Sequence, residues 1–357
     1  MVGVAAPARA RLSDLAAHLA ALIRHDGPMR LDRFMGLANA HYYATRDPLG
    51  ASGDFTTAPE ISQLFGEMIG LCLVDHWERS GVPGRIDLVE LGPGRGTLMA
   101  DILRAARIRP AFARAARVTL VETSPALRAR QAETLKAHDI AWRDSFAGIG
   151  GDAPLYLVAN EFFDALPIRQ FVGAEGRWRE RYVALSDEGF AFTLQPSAPP
   201  RPLSAPQADT LWELNEPTAA IAAAIGARLA ATGGLALVID YGHARSAPGD
   251  TLQAVRRHAF TDPLDAIGEA DLTAHVDFEA LAAAAGVAAY GPVTQGTFLT
   301  ALGIEARAAT LGRARPDQAE VLAAAVARLT GPDQMGSLFK AMALTGPGGP
   351  VPAGFGS

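Results

Sequence analysis

An apolar run that ends in three closely spaced glycines constrains this sequence more than any other feature. The run "RIDLVEL" ends at Leu91, and "GPGRGTL" then places Gly92, Gly94 and Gly96 before a helical pattern that starts near Thr97. Each glycine costs conformational entropy, so the local backbone or a close neighbour has to require it. This strand, loop and helix pattern predicts that the loop lies against a bound ligand at the end of a strand.

Short apolar runs that alternate with amphipathic helices follow the glycine loop. These runs are "RVTLVET", "IAWRDS", "PLYLVAN" and, after an interruption, "GLALVIDYG". The alternation is typical of a parallel sheet with helices on both faces, and the carboxyl ends of such strands carry the ligand-binding residues. The predicted fold class is therefore α/β with a Rossmann-like sheet.

The segments on either side of this pattern predict three regions. Residues 1–85 are an N-terminal helical region that packs on the ligand site, residues 86–305 are the α/β domain, and residues 306–357 are a C-terminal helical extension with a flexible tail. Two insertions interrupt the α/β domain. At about residues 173–210, "RWRERYVALSDEGFAFTL" predicts a β-hairpin, and the second insertion covers about residues 243–275. The run "GTFLTALG" is predicted to be a strand.

Composition excludes several classes of function. The formal net charge of −6 gives no basic surface for nucleic acid, and no apolar segment reaches the roughly 18 residues that cross a membrane. The single cysteine, Cys72, cannot form an internal disulfide, which fits a reducing compartment. Cysteines, histidines and carboxylates nowhere have the spacing of a metal site. We therefore expect no metal, no nucleic acid and no membrane insertion, and a location in the cytoplasm, or in the mitochondrial matrix if the source is eukaryotic.

The spacing of the glycines indicates which ligand the loop binds. A dinucleotide fold prefers its third glycine one position later, where this chain has Thr97. The tighter spacing favours S-adenosyl-L-methionine (SAM), and Glu90 is expected to hydrogen-bond the ammonium group of that ligand. Glu122 ends the next strand, 26 residues beyond Gly96, where a carboxylate can accept hydrogen bonds from both ribose hydroxyls. The alternative is a solvated glutamate at a strand end.

Polar residues after the third and fourth strands extend the predicted site. Asp144 and Ser145 can bind the adenine amino group, or they form a turn or helix cap. Asn160, Glu161 and Asp164 follow the fourth strand, and the alternative for the two acids is a surface loop. The full set of expected cofactor contacts is Glu90, Gly92, Pro93, Gly94, Gly96, Thr97, Glu122, Thr123, Ser124, Asp144, Ser145, Asn160, Phe55 and Thr56.

Two blocks outside the strand ends are expected to close the site. "GDFTTAPE" precedes a helix that packs over the cofactor edge, with Phe55 and Thr56 toward the cofactor and with Asp54 and Glu60 toward the substrate. "TAHVDF" places His275 before a helix, where the imidazole either accepts a proton or is a structural, hydrogen-bonded group.

Five longer blocks resemble the MidA-like SAM-dependent methyltransferases. They are "GDFTTAPEISQLFGE", "ELGPGRGTLMADILR", "NEFFDALPIRQF", "DLTAHVDF" and "MGSLFK", and the resemblance runs from roughly residue 10 to residue 342. It implies a class I methyltransferase fold with a seven-stranded sheet whose last strand is antiparallel, with SAM as cofactor and S-adenosyl-L-homocysteine as product. Mitochondrial members are complex I assembly factors that methylate an arginine of a complex I subunit. The resemblance therefore implies a protein substrate of that kind.

An arginine acceptor gives the residues after the fourth strand a chemical role. A guanidinium has a pKa of roughly 12.5 to 13.8 and no free lone pair, so carboxylates that hold two of its nitrogens can aim the third at the methyl group. Glu161 and Asp164 are the candidates, and Phe162 and Phe163 are expected to line the approach. Two other functions stay open, a methyltransferase for a small metabolite and a SAM-binding assembly factor with little catalysis. A homodimer is left open as well.

Overall fold

The computed structural model of the chain describes residues 14–45 and 57–356, and from residue 86 onward its elements follow the predicted β/α alternation. The helices of these residues are α1 (Asp14–Asp26), α2 (Leu31–Thr45), α3 (Ala58–Ile61), α4 (Gln63–Arg79), α5 (Thr97–Ala105), α6 (Pro110–Ala115), α7 (Pro125–Thr134), α8 (Glu216–Thr232), α9 (Phe278–Ala285), α10 (Gln295–Ala301), α11 (Ile304–Ala314), α12 (Ala319–Thr330) and α13 (Met335–Leu338). None of these helices is long and apolar enough to cross a membrane.

The strands of the same residues form three sheets. They are β1 (Met29–Arg30), β2 (Ile86–Leu91), β3 (Ala116–Val121), β4 (Ile140–Arg143), β5 (Leu155–Asn160), β6 (Arg169–Ala174), β7 (Arg177–Ser186), β8 (Gly189–Pro196), β9 (Leu211–Leu214), β10 (Gly234–His243), β11 (Gln253–Arg256), β12 (Ala259–Thr261), β13 (Asp271–Thr273), β14 (Val276–Asp277), β15 (Ala288–Thr294) and β16 (Phe339–Thr345).

The central sheet has the strand order β15, β16, β10, β5, β2, β3, β4, and the short strand β14 pairs with the end of β10. Strands β4, β3, β2, β5 and β10 are parallel, whereas β16 lies antiparallel between β10 and β15. The seven-stranded path with an antiparallel last strand confirms the class I methyltransferase fold that the sequence predicts. The strand order reverses at β2, and open α/β sheets bind their ligands at such a switch point.

Alternating side chains of the central strands fill two apolar layers. Leu88 in β2 and Tyr156 in β5 belong to the layer that includes α4 and α5. Val89 and Leu157, their neighbours in the same strands, belong to the layer that includes α8 and α9. Because both faces are covered, β2 and β5 are buried along their whole length. The carboxyl ends of the strands are left for ligand binding.

Two smaller sheets lie in the regions where the sequence predicts insertions. β7 and β8 form the predicted hairpin, with Ser186 paired with Gly189. β6, β9 and β1 extend this hairpin in the order β1, β7, β6, β9, and β11 to β13 form the other sheet. Leu19 of α1 and Phe34 of α2 pack in an apolar cluster with residues of both smaller sheets. The N-terminal helices therefore pack on the insertions, and the predicted division into three regions stays a prediction.

Three elements differ from the sequence prediction. Strand β16 belongs to the central sheet, although it lies within residues 306–357, which are predicted to be a helical extension. The run 296–303, predicted as a strand, lies largely in α10, which begins where the Thr294 side chain accepts a hydrogen bond from the Thr297 backbone N–H. A short apolar run is compatible with a strand or a helix, so this cap and the tertiary packing decide between them. The helix predicted from Pro59 is interrupted at Ser62, whose extended backbone separates α3 from α4.

Candidate active site

A cavity of about 630 Å³ lies at the carboxyl ends of β2, β3, β4 and β5. Parts of α2, α3 and α8 complete its wall. The predicted cofactor residues that line it are Glu90, Gly92, Pro93, Gly94, Thr97, Glu122, Thr123, Ser124, Asp144, Ser145 and Asn160. Gly96 is not among the lining residues of the described chain, and Asp54, Phe55 and Thr56 lie outside the described residues.

The glycine loop needs its glycines for backbone reasons. Gly92, Gly94 and Gly96 have φ angles of 60°, 51° and 81°, in the left-handed region that other residues avoid. A Cβ atom on Gly92 would lie 2.9 Å from Cδ2 of Phe162. The N–H of Gly96 donates to the Pro93 carbonyl oxygen at 2.7 Å, and α5 begins immediately after it. The loop backbone is thereby brought against the cavity.

Glu90 is a buried carboxylate in the cavity wall. It is only 2% exposed, and its Oε2 has no hydrogen-bond partner among the described residues. Burial raises the pKa of Glu90 to about 8, against the opposing effect of a hydrogen bond from the Met99 backbone N–H. A buried acceptor without a partner is costly, so the site fits a ligand that brings a donor, such as the ammonium group of SAM.

Glu122 is held rigidly at the end of β3. Its Oε1 accepts a hydrogen bond from the Ser124 N–H at 2.8 Å, and its Oε2 accepts one from Nε2 of Gln131 at 3.3 Å. Burial raises the pKa of Glu122, and these hydrogen bonds oppose the shift. Gln131, in α7, is a residue that the sequence analysis missed. It is fully buried and also donates to the Gly94 carbonyl oxygen at 2.7 Å.

The far end of the cavity, beside β4, combines a polar residue with apolar walls. Asp144 is 85% exposed at its side chain and pairs with Arg128 at 2.6 Å. Phe146 follows it, and Leu127 and Ile221 line the cavity as well. An exposed carboxylate beside apolar side chains suits a flat heterocycle with an amino group, so the predicted adenine position is compatible with this geometry.

The turn after β5 separates the residues that the sequence analysis grouped together. Glu161 and Phe162 line the cavity, whereas Phe163 and Asp164 are 1% and 6% exposed and lie behind it. Glu161 has a φ angle of 50°, which is rare outside glycine. This left-handed residue turns the chain inward, so Asp164 is not among the lining residues of the described chain.

Hydrogen bonds hold the carboxyl groups of this turn in place, and burial and neighbouring charges shift their pKa values. Oε1 of Glu161 accepts from the Ala58 N–H and from Nδ2 of Asn160, both at 3.2 Å. Burial, reinforced by the nearby Asp164, raises the pKa of Glu161 to about 8. Burial raises the pKa of Asp164 to about 6, and the hydroxyl of Tyr241 opposes this shift by hydrogen bonding. Oδ1 of Asn160 has no partner among the described residues, so the cavity keeps a free acceptor here.

Asp240, at the end of β10, is a second residue that sequence reasoning missed. Its Oδ2 accepts hydrogen bonds from the backbone N–H groups of Phe162, Phe163 and Asp164 at 3.2, 3.0 and 3.3 Å. It is 0% exposed, and burial raises its pKa well above the ordinary range. The only signal in the sequence is an aspartate that ends an apolar run, in "LVIDYG".

Helices α2 and α3 are fastened to the site through side chains. The hydroxyl of Thr97 donates to Oε1 of Glu60 at 2.6 Å, and both residues line the cavity. Nδ2 of Asn39, in α2, donates to the Ala165 carbonyl oxygen at 3.0 Å and to that of Leu272 at 2.7 Å. Glu60 thus lines the cavity and tethers α3 to the glycine loop, and its contact with the substrate stays a prediction.

His275 lies elsewhere. It lines a second cavity, of about 410 Å³, together with His243 and Asp277. Its ring packs edge-on against Tyr241 at 5.6 Å between centroids, and burial lowers its pKa. The described structure therefore does not bring His275 to the cavity of Glu90 and Glu122. Within residues 14–45 and 57–356, no group of three or more histidines, cysteines and carboxylates can hold a metal ion.

Sequence comparisons match this chain to methyltransferases. Residues 68–293 match a family model described as S-adenosyl-L-methionine-dependent methyltransferase. The mitochondrial protein arginine methyltransferase NDUFAF7 homolog of Drosophila melanogaster is 36% identical over 374 residues, covering 92% of this chain and 84% of the relative. The mitochondrial protein arginine methyltransferase NDUFAF7 of Homo sapiens is 35% identical over 375 residues, covering 95% of this chain and 85% of the human protein.

Solved structures with the same fold come from Burkholderia thailandensis. One is a crystal structure of a COG1565 superfamily member, described as a methyl transferase and bound to S-adenosyl-homocysteine. It is 28% identical with a TM-score of 0.82 and covers 95% of this chain and 93% of its own. A native structure from the same organism is 29% identical with a TM-score of 0.78, and it covers 96% of this chain and 92% of its own. The likeness therefore includes the insertions as well as the α/β domain.

Proposed function

Because this chain belongs to the MidA-like family of S-adenosyl-L-methionine-dependent methyltransferases, we propose that it transfers a methyl group from SAM to an arginine side chain of a protein. The names of the relatives support both an arginine acceptor and a protein substrate. The cavity supports the cofactor position through the glycine loop, the ribose-binding geometry of Glu122 and the unpartnered acceptors of Glu90 and Asn160.

One observation carries the proposal of an arginine acceptor. Glu161, Asp164 and Asp240 form a group of carboxylates at the β5 end of the cavity: besides burial, Asp164 raises the pKa of Glu161, and both raise the pKa of Asp240. The described donors to this group are backbone N–H groups, the Asn160 amide and the Tyr241 hydroxyl. All of these donors are neutral, so no described positive charge opposes the rise that burial causes in the pKa values of these carboxyl groups. A guanidinium would supply the missing positive charge.

The position of Glu161 suits the acceptor. The cavity extends across the ends of β4, β3, β2 and β5, from Asp144 to Glu161. Three interstrand spacings of about 4.8 Å separate those outer strands, roughly 14 Å in all. The nucleoside end of the ligand is proposed to lie beside Glu122 and Asp144, so the opposite end of the cavity is left for the methyl acceptor.

The residues after β5 are proposed to position the guanidinium for methyl transfer. When bound, SAM would supply a methyl group that its sulfonium activates: the S–CH3 bond would break to leave S-adenosyl-homocysteine as the N–CH3 bond forms. The proton that the guanidinium nitrogen loses could pass to the carboxylate of Glu161. The carboxylate of Glu161 can hold two guanidinium nitrogens, which orients the third and localises the positive charge away from it. The ring of Phe162 lies next to Glu161 in the cavity wall, where it can stack on the guanidinium plane and exclude water. Asp164 adds negative potential from behind this wall.

The proposal also names the methylated protein and the cellular compartment of this chain. The family resemblance supports a complex I subunit as the methylated protein, and the animal relatives are named as mitochondrial proteins. For this chain we propose the mitochondrial matrix if its source is eukaryotic and the cytoplasm if it is bacterial. A homodimer remains a prediction, which light scattering of the purified protein would measure.

A labelling experiment tests the proposed function. The purified protein is incubated with methyl-labelled SAM and the protein fraction of a lysate of its own source, and the labelled polypeptides are hydrolysed to amino acids. Label in methylarginine supports the proposal. The matched control is the Gly92→Val variant, which should give no label because its side chain would occupy the space beside Phe162. Label confined to lysine, or to small molecules in the unfractionated lysate, would contradict the proposal.

A further inference from the structure

We propose that Asp240 is a positioning residue for methyl transfer, which holds the backbone turn that presents Glu161 to the acceptor. The inference rests on the proposed function, because it requires that Glu161 bind the methyl acceptor. Asp240 does not line the cavity among the described residues and therefore acts through the turn.

The first argument is the number of hydrogen bonds on one carboxylate. The backbone N–H groups of Phe162, Phe163 and Asp164 converge on Oδ2 of Asp240 at 3.0 to 3.3 Å, and Oδ1 accepts the N–H of Tyr241 at 3.0 Å. The two oxygens of an aspartate side chain can accept this many bonds, and the N–H groups of Phe163 and Asp164 oppose the rise that burial causes in the pKa of Asp240. Four backbone donors would lose their acceptor without it.

The second argument is that the end of β10 holds four consecutive residues of the turn. The N–H of Glu161 donates to the carbonyl oxygen of Ile239 at 2.9 Å, and Asp240 binds the next three N–H groups. Glu161 itself has a left-handed φ angle of 50°. A residue with a side chain stays in this conformation only where its surroundings determine it. In this turn, the hydrogen bonds to Ile239 and Asp240 hold Glu161 in the left-handed conformation.

The third argument is the direction in which the turn sends its side chains. With the backbone of the turn held by β10, Glu161 and Phe162 line the cavity while Phe163 and Asp164 are buried. The Ala58 N–H and the Asn160 amide then hold the Glu161 carboxylate by donating hydrogen bonds to its Oε1. If the turn relaxes, Glu161 loses the orientation that a bidentate contact with a guanidinium requires, although no residue of the nucleoside site moves.

Two variants of Asp240 and a double variant test the inference. Asp240→Ala removes the acceptor of all these N–H groups, whereas Asp240→Asn keeps one oxygen for the turn and places its amide group against the Tyr241 N–H. We expect methyl transfer to fall roughly 100-fold in Asp240→Ala, the scale of a misplacement of about 1 Å, and roughly 10-fold in Asp240→Asn. The affinity for SAM, measured by calorimetry, should stay within a few-fold.

The double variant Asp240→Ala with Glu161→Gln separates positioning from general damage. If Asp240 acts through Glu161, the double variant should be no less active than Glu161→Gln alone, because the losses are coupled. The control is Asp87→Asn, another buried strand aspartate, which pairs with Arg117 and Arg228 near the amino-terminal end of β2, away from the cavity. Its loss of activity should multiply with that of Glu161→Gln.

The outcomes distinguish failure of the inference from failure of the proposed function. Full activity of Asp240→Ala, or losses that multiply in the double variant, would overturn the positioning role while Glu161→Gln remains impaired. If Asp240→Ala does not fold, the same cycle with Asp240→Asn decides. If Glu161→Gln itself is fully active on an arginine substrate, the acceptor role of Glu161 fails, and a loss in Asp240→Ala alone would then assign Asp240 to stability.

Discussion

The amide nitrogen of Gln131 donates a hydrogen bond to Oε2 of Glu122 at 3.3 Å. The same nitrogen donates to the Gly94 carbonyl oxygen at 2.7 Å, and Oε1 of Gln131 accepts from the indole nitrogen of Trp142 at 2.8 Å. One buried amide thus links the end of β3, the glycine loop and β4. The proposed ribose contact and the backbone that approaches the ligand are held in register by a residue that does not itself line the cavity among the described residues.

The Gln131→Leu variant is expected to bind SAM more weakly. Leucine fills similar space but leaves the Trp142 indole, the Gly94 carbonyl and Glu122 without their partner. The loss of buried hydrogen bonds costs about 1 to 3 kcal/mol, so the dissociation constant should rise roughly 10-fold or more. Calorimetric titration with SAM measures it. Glu133→Gln, an exposed change on the same helix, is the control and should bind normally. Normal affinity in a folded Gln131→Leu variant would refute this linking role.

The Gly92→Ala variant should lose SAM binding because of the backbone. An added Cβ would lie 2.9 Å from the Phe162 ring, and a φ angle of 60° disfavours any side chain. Phe162 would have to move, and it lines the proposed acceptor end of the cavity. Gly84→Ala is the matched control, since its Cβ would have no heavy atom within 4 Å. Wild-type affinity of Gly92→Ala would show that the loop tolerates a side chain, contrary to this expectation.

The fold, and the residues that line the cavity at the ends of β2 and β3, could be predicted because their signals are local. The glycines of the loop need left-handed backbone, and Glu122 follows an apolar run that has to be a strand. The apolar periodicity of "RIDLV" and "PLYLV" is enough to predict buried parallel strands. The seven-stranded sheet with an antiparallel last strand came from the family resemblance, and the structure confirms it.

The contacts at the proposed acceptor end could not be predicted because they join residues that are distant in sequence. Asp240 meets Phe163 across 77 residues, and only the pairing of β10 with β5 brings them together. Asp164 follows Glu161 by three positions, yet the left-handed turn sends the two carboxylates to different sides of the cavity wall. Neither the turn nor the position of His275 in the second cavity has a signature in residue spacing.

Glu90 gives the stability of the ligand-free protein a defined pH dependence. Its pKa is raised from 4.5 to about 8 in the folded chain, so above pH 4.5 the unfolded state is ionised while the folded state keeps its proton. The unfolded state then binds fewer protons, and the contribution of Glu90 to the free energy of unfolding decreases as the pH rises from about 4.5 to about 8. Above pH 8 it decreases no further.

The Glu90→Gln variant tests this dependence. Without the buried carboxyl, the free energy of unfolding at pH 8 should exceed that of the wild type by about 1 kcal/mol or more, since each pKa unit is worth about 1.4 kcal/mol. The difference should vanish near pH 4.5, and urea unfolding at both pH values measures it. SAM affinity should rise with pH in the wild type, because the ammonium group needs an ionised partner, but stay flat in the variant. A variant less stable than the wild type at pH 8 would contradict the assignment of a buried, protonated Glu90.

Glu161→Gln is the variant that decides the arginine proposal. Glutamine keeps the size of the side chain and an oxygen for the Ala58 N–H, but it removes the charge that holds a guanidinium. Methyl transfer to an arginine peptide should therefore fall roughly 100-fold or more, the scale of losing one electrostatic group in an active site. SAM affinity should stay within a few-fold, because the proposed nucleoside contacts lie at β2, β3 and β4. The comparison of turnover with binding in the same variant is decisive. Parallel loss of both would assign Glu161 to the cofactor, and full turnover would remove the carboxylate from the acceptor site.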